Sequence, residues 1–184
     1  MDFTKRILFE QERVRLVGVC FGHQIIGRAL GQKVGRSEGG WEISVTPMQL
    51  TAKGKELFGL DEVVSCPHVP TYTYVIDGHS TLTISSPQAI HQMHQDAVFT
   101  YPPSVEHLGH SPSCHVQGMY EKNRLITTQG HPEFDGDIVA ELLENRHDRG
   151  VFDDETYEDA MGRVRRHHDG VKVAAAFLRF MVEV

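Results

Sequence analysis

The chemistry in this chain centres on Cys20, His131 and Glu133. Cys20 lies in the run Gly18-Val19-Cys20-Phe21-Gly22, where an apolar, β-branched stretch gives way to helical spacing. A thiol at such a junction faces the first, unpaired N–H groups of the helix, and these donors with the helix dipole favour the nucleophilic thiolate. Small flanking residues suit a sharp elbow, which leaves no room for side chains beside the nucleophile. On its own, the G-x-C-x-G spacing equally fits a buried structural cysteine with glycines incidental to packing. His131 and Glu133 tip the balance. They follow the strand-like run Arg124-Leu125-Ile126-Thr127-Thr128, with Pro132 stiffening the turn between them. An imidazole projected from that loop can act as a base. A carboxylate two residues on fixes its tautomer and stabilises the imidazolium.

These groups need a scaffold that brings distant segments to one edge. Residues 2–12 place Phe3, Ile7 and Leu8 at helical spacing, and residues 14–19 read as a buried strand of a parallel sheet. Gly22 to Leu30 returns to helical spacing and stops at Gly31, a C-terminal glycine signal. Strand patterns follow over 34–51, 89–101 and 112–128, with a short helix or turn over 53–60. Helices are expected near 136–147, 154–167 and 170–182. In the last, Val171, Ala174, Ala175, Leu178 and Met181 form one stripe able to face a sheet. The pattern is α/β, a doubly wound and mostly parallel sheet with flanking helices, in which sites collect at the carboxyl ends of strands.

Composition narrows the function classes. The chain has 184 residues, 40% hydrophobic and 23% charged, with a net charge of −7. It is expected to form one domain over 1–184. That acidic balance, with no overriding Lys/Arg run, argues against nucleic-acid partners. The basic stretch Arg163 to Arg166 reads as a solvated helix face. No apolar run reaches the roughly 18 residues of a membrane span. Cys20, Cys66 and Cys114 form no CxxC pair, which points to a reducing compartment, the cytosol. His107, His110 and His115 lack metal-ligand spacing with cysteine, so no metal site is expected. No phosphate-binding or dinucleotide motif is present, and no cofactor is expected.

The segment Gly18-Val19-Cys20-Phe21-Gly22-His23-Gln24, followed far along the chain by Gly130-His131-Pro132-Glu133, closely resembles the class I glutamine amidotransferases. Trp41-Glu42 and Met93-His94-Gln95-Asp96 fall in the family's order, the latter similar to the S-H-G-D segment of amidotransferase domains such as that of GMP synthase. The nearest likeness is to small stand-alone, GMP synthase-like members. The resemblance implies a Cys20–His131–Glu133 triad that hydrolyses the glutamine side-chain amide through a thioester. It also implies an oxyanion donor in the Phe21 backbone N–H. Substrate contacts would come from Gly22, Gln24, Met93, His94, Gln95 and Asp96, with His94 and Asp96 equally open to a structural role. Glutamine is the implied substrate, with any synthase or ammonia acceptor on a separate polypeptide. A γ-glutamyl peptidase uses the same chemistry on another amide, and a non-catalytic, truncated relative is the third reading.

Two departures from the family stand out. At roughly 30 residues per β-α-β unit, roughly 60–80 residues upstream of the nucleophile strand are unmatched. The resemblance therefore implies an N-terminally truncated domain without the glycine-rich loop that supplies a second oxyanion donor. Loss of one such donor costs roughly 10²–10³ in turnover. The second departure is residues 64–88, rich in Ser, Thr and Pro and without sustained periodicity. They read as an inserted loop or as a retained intron, since Val64-Ser65, Leu82-Thr83 and Gln88 can encode donor, branch-point and acceptor signals. Removing the segment would join Val63 directly to Ala89.

Overall fold

A computed structural model of the chain describes residues 1–59, 71–75, 81–85 and 88–182. In chain order its elements begin with α1 (Asp2–Glu10), β1 (Leu16–Val19), α2 (Phe21–Ala29), β2 (Val34–Arg36), β3 (Glu42–Leu50) and α3 (Ala52–Phe58). There follow β4 (Thr71–Val75), β5 (Thr81–Ser85), β6 (Gln88–His94), β7 (Asp96–Val98), β8 (Glu106–His110), β9 (Gly118–Glu121) and β10 (Leu125–Thr128). The chain then turns helical in α4 (Gly136–Asp148), α5 (Asp154–Arg163) and α6 (Gly170–Val182). Side-chain caps set several boundaries. Thr51 accepts from the Gly54 N–H, Asp135 from Asp137 and Ile138, and Asp153 from Thr156, each satisfying donors that a helix start leaves unpaired. Gly59, at φ 70°, closes α3 in the left-handed conformation.

Six strands form one sheet in the order β1-β10-β9-β8-β3-β6. β1 and β10 run parallel, from Leu16 opposite Leu125 to Val19 opposite Thr128. The other four pairings are antiparallel. The α/β class holds as a mixed sheet with helices, while the expected parallel majority is corrected to a single parallel pair among the described residues. Connection length is the reason. Lys122-Asn123-Arg124 joins β9 to β10 by a short turn, with Asn123 at φ 59°, and so tight a link permits only an antiparallel pair. β2 and β7 make a separate antiparallel pair, Val34 opposite Val98. Within 64–88, where no strand was expected, β4 and β5 pair antiparallel. Gln88 opens β6, and the rest of that segment lies outside the described residues.

Three expectations about faces are also corrected. β1 is an edge strand among the described residues, with Val17 38% exposed and Gly18 its buried position. On α6 the inward stripe is Val173, Ala176, Phe177 and Phe180, whereas Val171 is 80% exposed and Leu178 61% exposed. Both stripes are apolar, and the one that faces inward carries two aromatic rings while Val171, Leu178 and Met181 stay exposed. The chosen stripe packs with Phe58, Ile90, Leu108 and Ile126. A second cluster seats Val139 and Leu143 of α4 and Ala160 of α5 against Ile43 and Met93. Each fully buried aliphatic side chain there contributes roughly 1.5–3 kcal/mol. Arg163, expected on a solvated face, instead donates to the carbonyls of Ile43 and Val45, tying the end of α5 to β3. Among the described residues no helix is long and apolar enough to cross a membrane.

Candidate active site

The parallel pairing of β1 with β10 brings the two motifs together. The Cys20 N–H donates to the Thr128 carbonyl at 2.9 Å, so Cys20 leaves β1 directly beside the point where the chain leaves β10. Gln129, Gly130 and His131 continue from β10 on the same edge. Cys20 has φ 48° and ψ −104°, a backbone region costly for a side-chain-bearing residue and common where a nucleophile is held at an elbow. The flanking glycines play unequal parts. A Cβ at Gly18 would stand 2.8 Å from Ile26 Cδ1 and 3.0 Å from the Gly22 carbonyl carbon, so glycine is what lets α2 sit on β1. A Cβ at Gly22 would meet nothing within 4 Å, which leaves open space over the start of α2. Phe21 is exposed, and its backbone N–H lies against the Cys20 thiol.

His131 is fixed at both ends. Its N–H donates to the His91 carbonyl at 2.8 Å. Its ring stacks on Phe134 with centroids 4.0 Å apart, and Nδ1 meets Glu133 Oε1 at 2.8 Å. Glu133 accepts from Nδ1–H, which leaves Nε2 as the basic nitrogen. Glu133 itself is half exposed, 54% at the side chain.

Burial raises the Cys20 thiol above its ordinary value and outweighs the Phe21 N–H, which pulls the other way. The helix start therefore does not deliver a resting thiolate, contrary to the sequence expectation. Because the folded-state value is raised, the reactive fraction at neutral pH is small and grows with alkalinity. Alkylation of Cys20 by iodoacetamide, with Cys20→Ser subtracted as background, should still be accelerating at pH 9.0, the ordinary thiol value. A plateau reached near neutrality would instead mean a preformed thiolate–imidazolium pair.

The remaining candidate residues are spread over different surroundings. Gln24 is buried, and its amide nitrogen donates to the Asp96 carbonyl at 2.8 Å and to Gln129 Oε1 at 3.2 Å. Gln129 in turn points its amide nitrogen at Cys20 Sγ, 3.7 Å away. Gln129 was not singled out from the sequence, since nothing in its own type or spacing separates it from the strand around it. Met93 is buried in the cluster under α4, and His94 is buried against Glu42, with Nε2 2.9 Å from Oε2. Gln95 and Asp96 sit at the surface, both engaged by Arg36. His23 is buried with Nδ1 2.8 Å from Thr127 Oγ1, and burial pushes its pKa down to about 3, so it docks α2 on β10 as a neutral ring.

Glu42, His94 and Cys114 also bring a carboxylate oxygen, an imidazole nitrogen and a thiol within 4.8 Å of one another. Sequence spacing gave no sign of this group, whose members come from three separate strands and loops. Its atoms are engaged with protein partners: Glu42 accepts from Ser111 and Gln117, and Cys114 donates to the Val116 carbonyl. Ligating a metal would require the Cys114 thiol to lose its proton, and burial pushes that thiol up to about 12.

The glutamine amidotransferase class-I family profile matches residues 4–147. A glutamine amidotransferase-like protein of Schizosaccharomyces pombe is 31% identical over 183 residues, all of this chain and 64% of that protein. Gamma-glutamyl peptidase 2 of Arabidopsis thaliana is 29% identical over 155 residues, 83% of this chain and 53% of that protein. A glutamine amidotransferase from Thermotoga maritima superposes on the whole chain and 68% of its own with a TM-score of 0.67 at 18% identity, a likeness of fold. The chain thus spans roughly half to two thirds of the length of these curated relatives. A sheet edge that gathers Cys20 and His131, in a chain matched from residue 4 to residue 147, is accounted for by common descent: the chain belongs to the class I glutamine amidotransferase family.

Proposed function

We propose that this site hydrolyses the side-chain amide of glutamine to glutamate and ammonia. The observation that carries the reading is the strand-end juxtaposition of Cys20 with a His131 whose Nδ1 is held 2.8 Å from Glu133. In the first half-reaction Cys20 Sγ attacks the amide carbon while its proton passes to His131 Nε2. The Phe21 N–H stabilises the oxyanion. His131 then gives that proton to the departing ammonia, and the C–N bond breaks to leave a γ-glutamyl thioester. Water, deprotonated by His131, attacks the thioester, and the thiol leaves as the acid forms. Gly22 and the backbone from Met93 to Asp96 border the substrate, whereas Gln24, His94 and Gln129 act by positioning. The free thiol suits a reducing compartment such as the cytosol, and a separate synthase is the proposed acceptor of the ammonia.

A second reading rests on the γ-glutamyl peptidase relative. The same thioester forms from any γ-glutamyl amide, and only the leaving amine differs. The test is to incubate the purified protein with glutamine or with a γ-glutamyl dipeptide. Released ammonia or amine is measured, and Cys20 is examined for the γ-glutamyl adduct by mass spectrometry, with Cys20→Ser as control. Ammonia from glutamine supports the first reading, and preference for the dipeptide selects the second. A folded protein that yields neither product nor adduct would sink both.

A further inference from the structure

Beside the triad stands a cation whose pairing the fold leaves open. Arg146, in the last turn of α4, sets its guanidinium carbon 5.7 Å above the Trp41 ring. Trp41 is braced from the side by Phe152, edge to face at 5.2 Å. Arg146 Nη1 is buried and has no hydrogen-bond partner among the described residues. Proteins rarely leave such a donor unmet, because removing it from water without a replacement acceptor is costly. Burial lowers the proton affinity of Arg146, and Cys20 lies near enough to act against that shift. Trp41 also flanks the same apolar cluster as Phe134, the ring stacked on His131, so the unmet donor lies on the side of the site.

We infer that Arg146, set over the Trp41 ring, forms a subsite for the α-carboxylate of the substrate, so that the glutamyl end is anchored while its side-chain amide reaches Cys20. The inference rests on the γ-glutamyl chemistry proposed above. A guanidinium held by a cation–π contact still presents its planar fork of N–H donors, which matches a carboxylate in two parallel hydrogen bonds. Glutamine and γ-glutamyl peptides differ in their leaving amines but share the α-carboxylate, so a cation here serves both readings. The carboxylate at the far end of a peptide leaving group would be a different occupant, and glutamine, which lacks one, separates the two.

The experiment compares wild type, Arg146→Gln and Arg146→Lys in steady-state hydrolysis of glutamine and of 4-aminobutanamide, which is glutamine without its α-carboxylate. Arg146→Gln should raise KM for glutamine roughly 10- to 100-fold with kcat changed little. Arg146→Lys should fall between, and the two proteins lacking the guanidinium should treat 4-aminobutanamide as wild type does. Should wild type hydrolyse no glutamine, the proposed activity fails but the subsite is still read through binding, as protection of Cys20 from iodoacetamide by L-glutamate. Protection weakened in Arg146→Gln and partly kept in Arg146→Lys supports the subsite. An unchanged KM, a loss confined to kcat, or equal protection in all three proteins overturns it.

Discussion

Replacing His131 with glutamine is expected to lower kcat for glutamine by about 10⁴-fold or more while KM stays within a few-fold. The size of the effect follows from the state of the nucleophile. Burial raises the Cys20 thiol, so the resting site holds a neutral thiol that depends on a base at the moment of attack. In the proposed mechanism His131 is that base, oriented by Glu133 through Nδ1. It is needed a second time to protonate ammonia and a third to activate water. Glu133→Gln should cost less, roughly 10²-fold, because a carboxylate 54% exposed acts in partly aqueous surroundings where its charge is screened. The pH profile adds an independent reading. Without the imidazole, residual turnover should climb steadily through the alkaline range as the thiolate forms unaided. Turnover within tenfold of wild type in His131→Gln would remove the histidine from the mechanism.

How much of this was legible in the sequence depends on how local each feature is. The elbow was legible because strand, Cys20 and α2 are consecutive. Gly18 proves sterically demanded, with Ile26 2.8 Å from a Cβ placed there. His131 and Glu133 were legible as a pair because they stand two residues apart around Pro132. The thiol's ionisation was misjudged because the helix start is visible in sequence and the burial that opposes it is not. The two apolar stripes of α6 could not be ranked without knowing what packs opposite, and Phe177 and Phe180 settled the matter through Ile90 and Leu108. Gln129 and Arg146 were invisible for a related reason. Their meaning comes from Cys20 and Trp41, both more than a hundred positions away in the chain.

The same non-locality makes Glu42 the position where substitution should cost most in stability. Glu42 is 5% exposed, and its carboxylate accepts from Ser111 Oγ, from Gln117 Nε2 at 2.7 Å and from His94 Nε2 at 2.9 Å. Glu42→Ala removes the shared acceptor of three buried donors at once, leaving Ser111 Oγ only the Cys114 carbonyl and Gln117 Nε2 only Ser111 Oγ. Breaking a buried pair of this kind costs roughly 3–5 kcal/mol, since the abandoned partners keep their desolvation penalty. For a chain of this size the melting temperature should drop by roughly 10–15 °C. Glu42→Gln keeps the volume and one acceptor oxygen but turns an amide against a donor, and should cost about half as much. The double variant Glu42→Ala/His94→Ala should lose less than the sum of the single changes, because removing the imidazole also removes a stranded donor. Activity should fall along with stability. His94 Nδ1 contacts the Asp96 carbonyl, which also receives Gln24, and Gln24 orients the Gln129 amide that faces Cys20. Strict additivity in the cycle, or a melting temperature unmoved by Glu42→Ala, would mean that water already satisfies this cluster and that it neither braces β3 against β6 nor reaches the nucleophile.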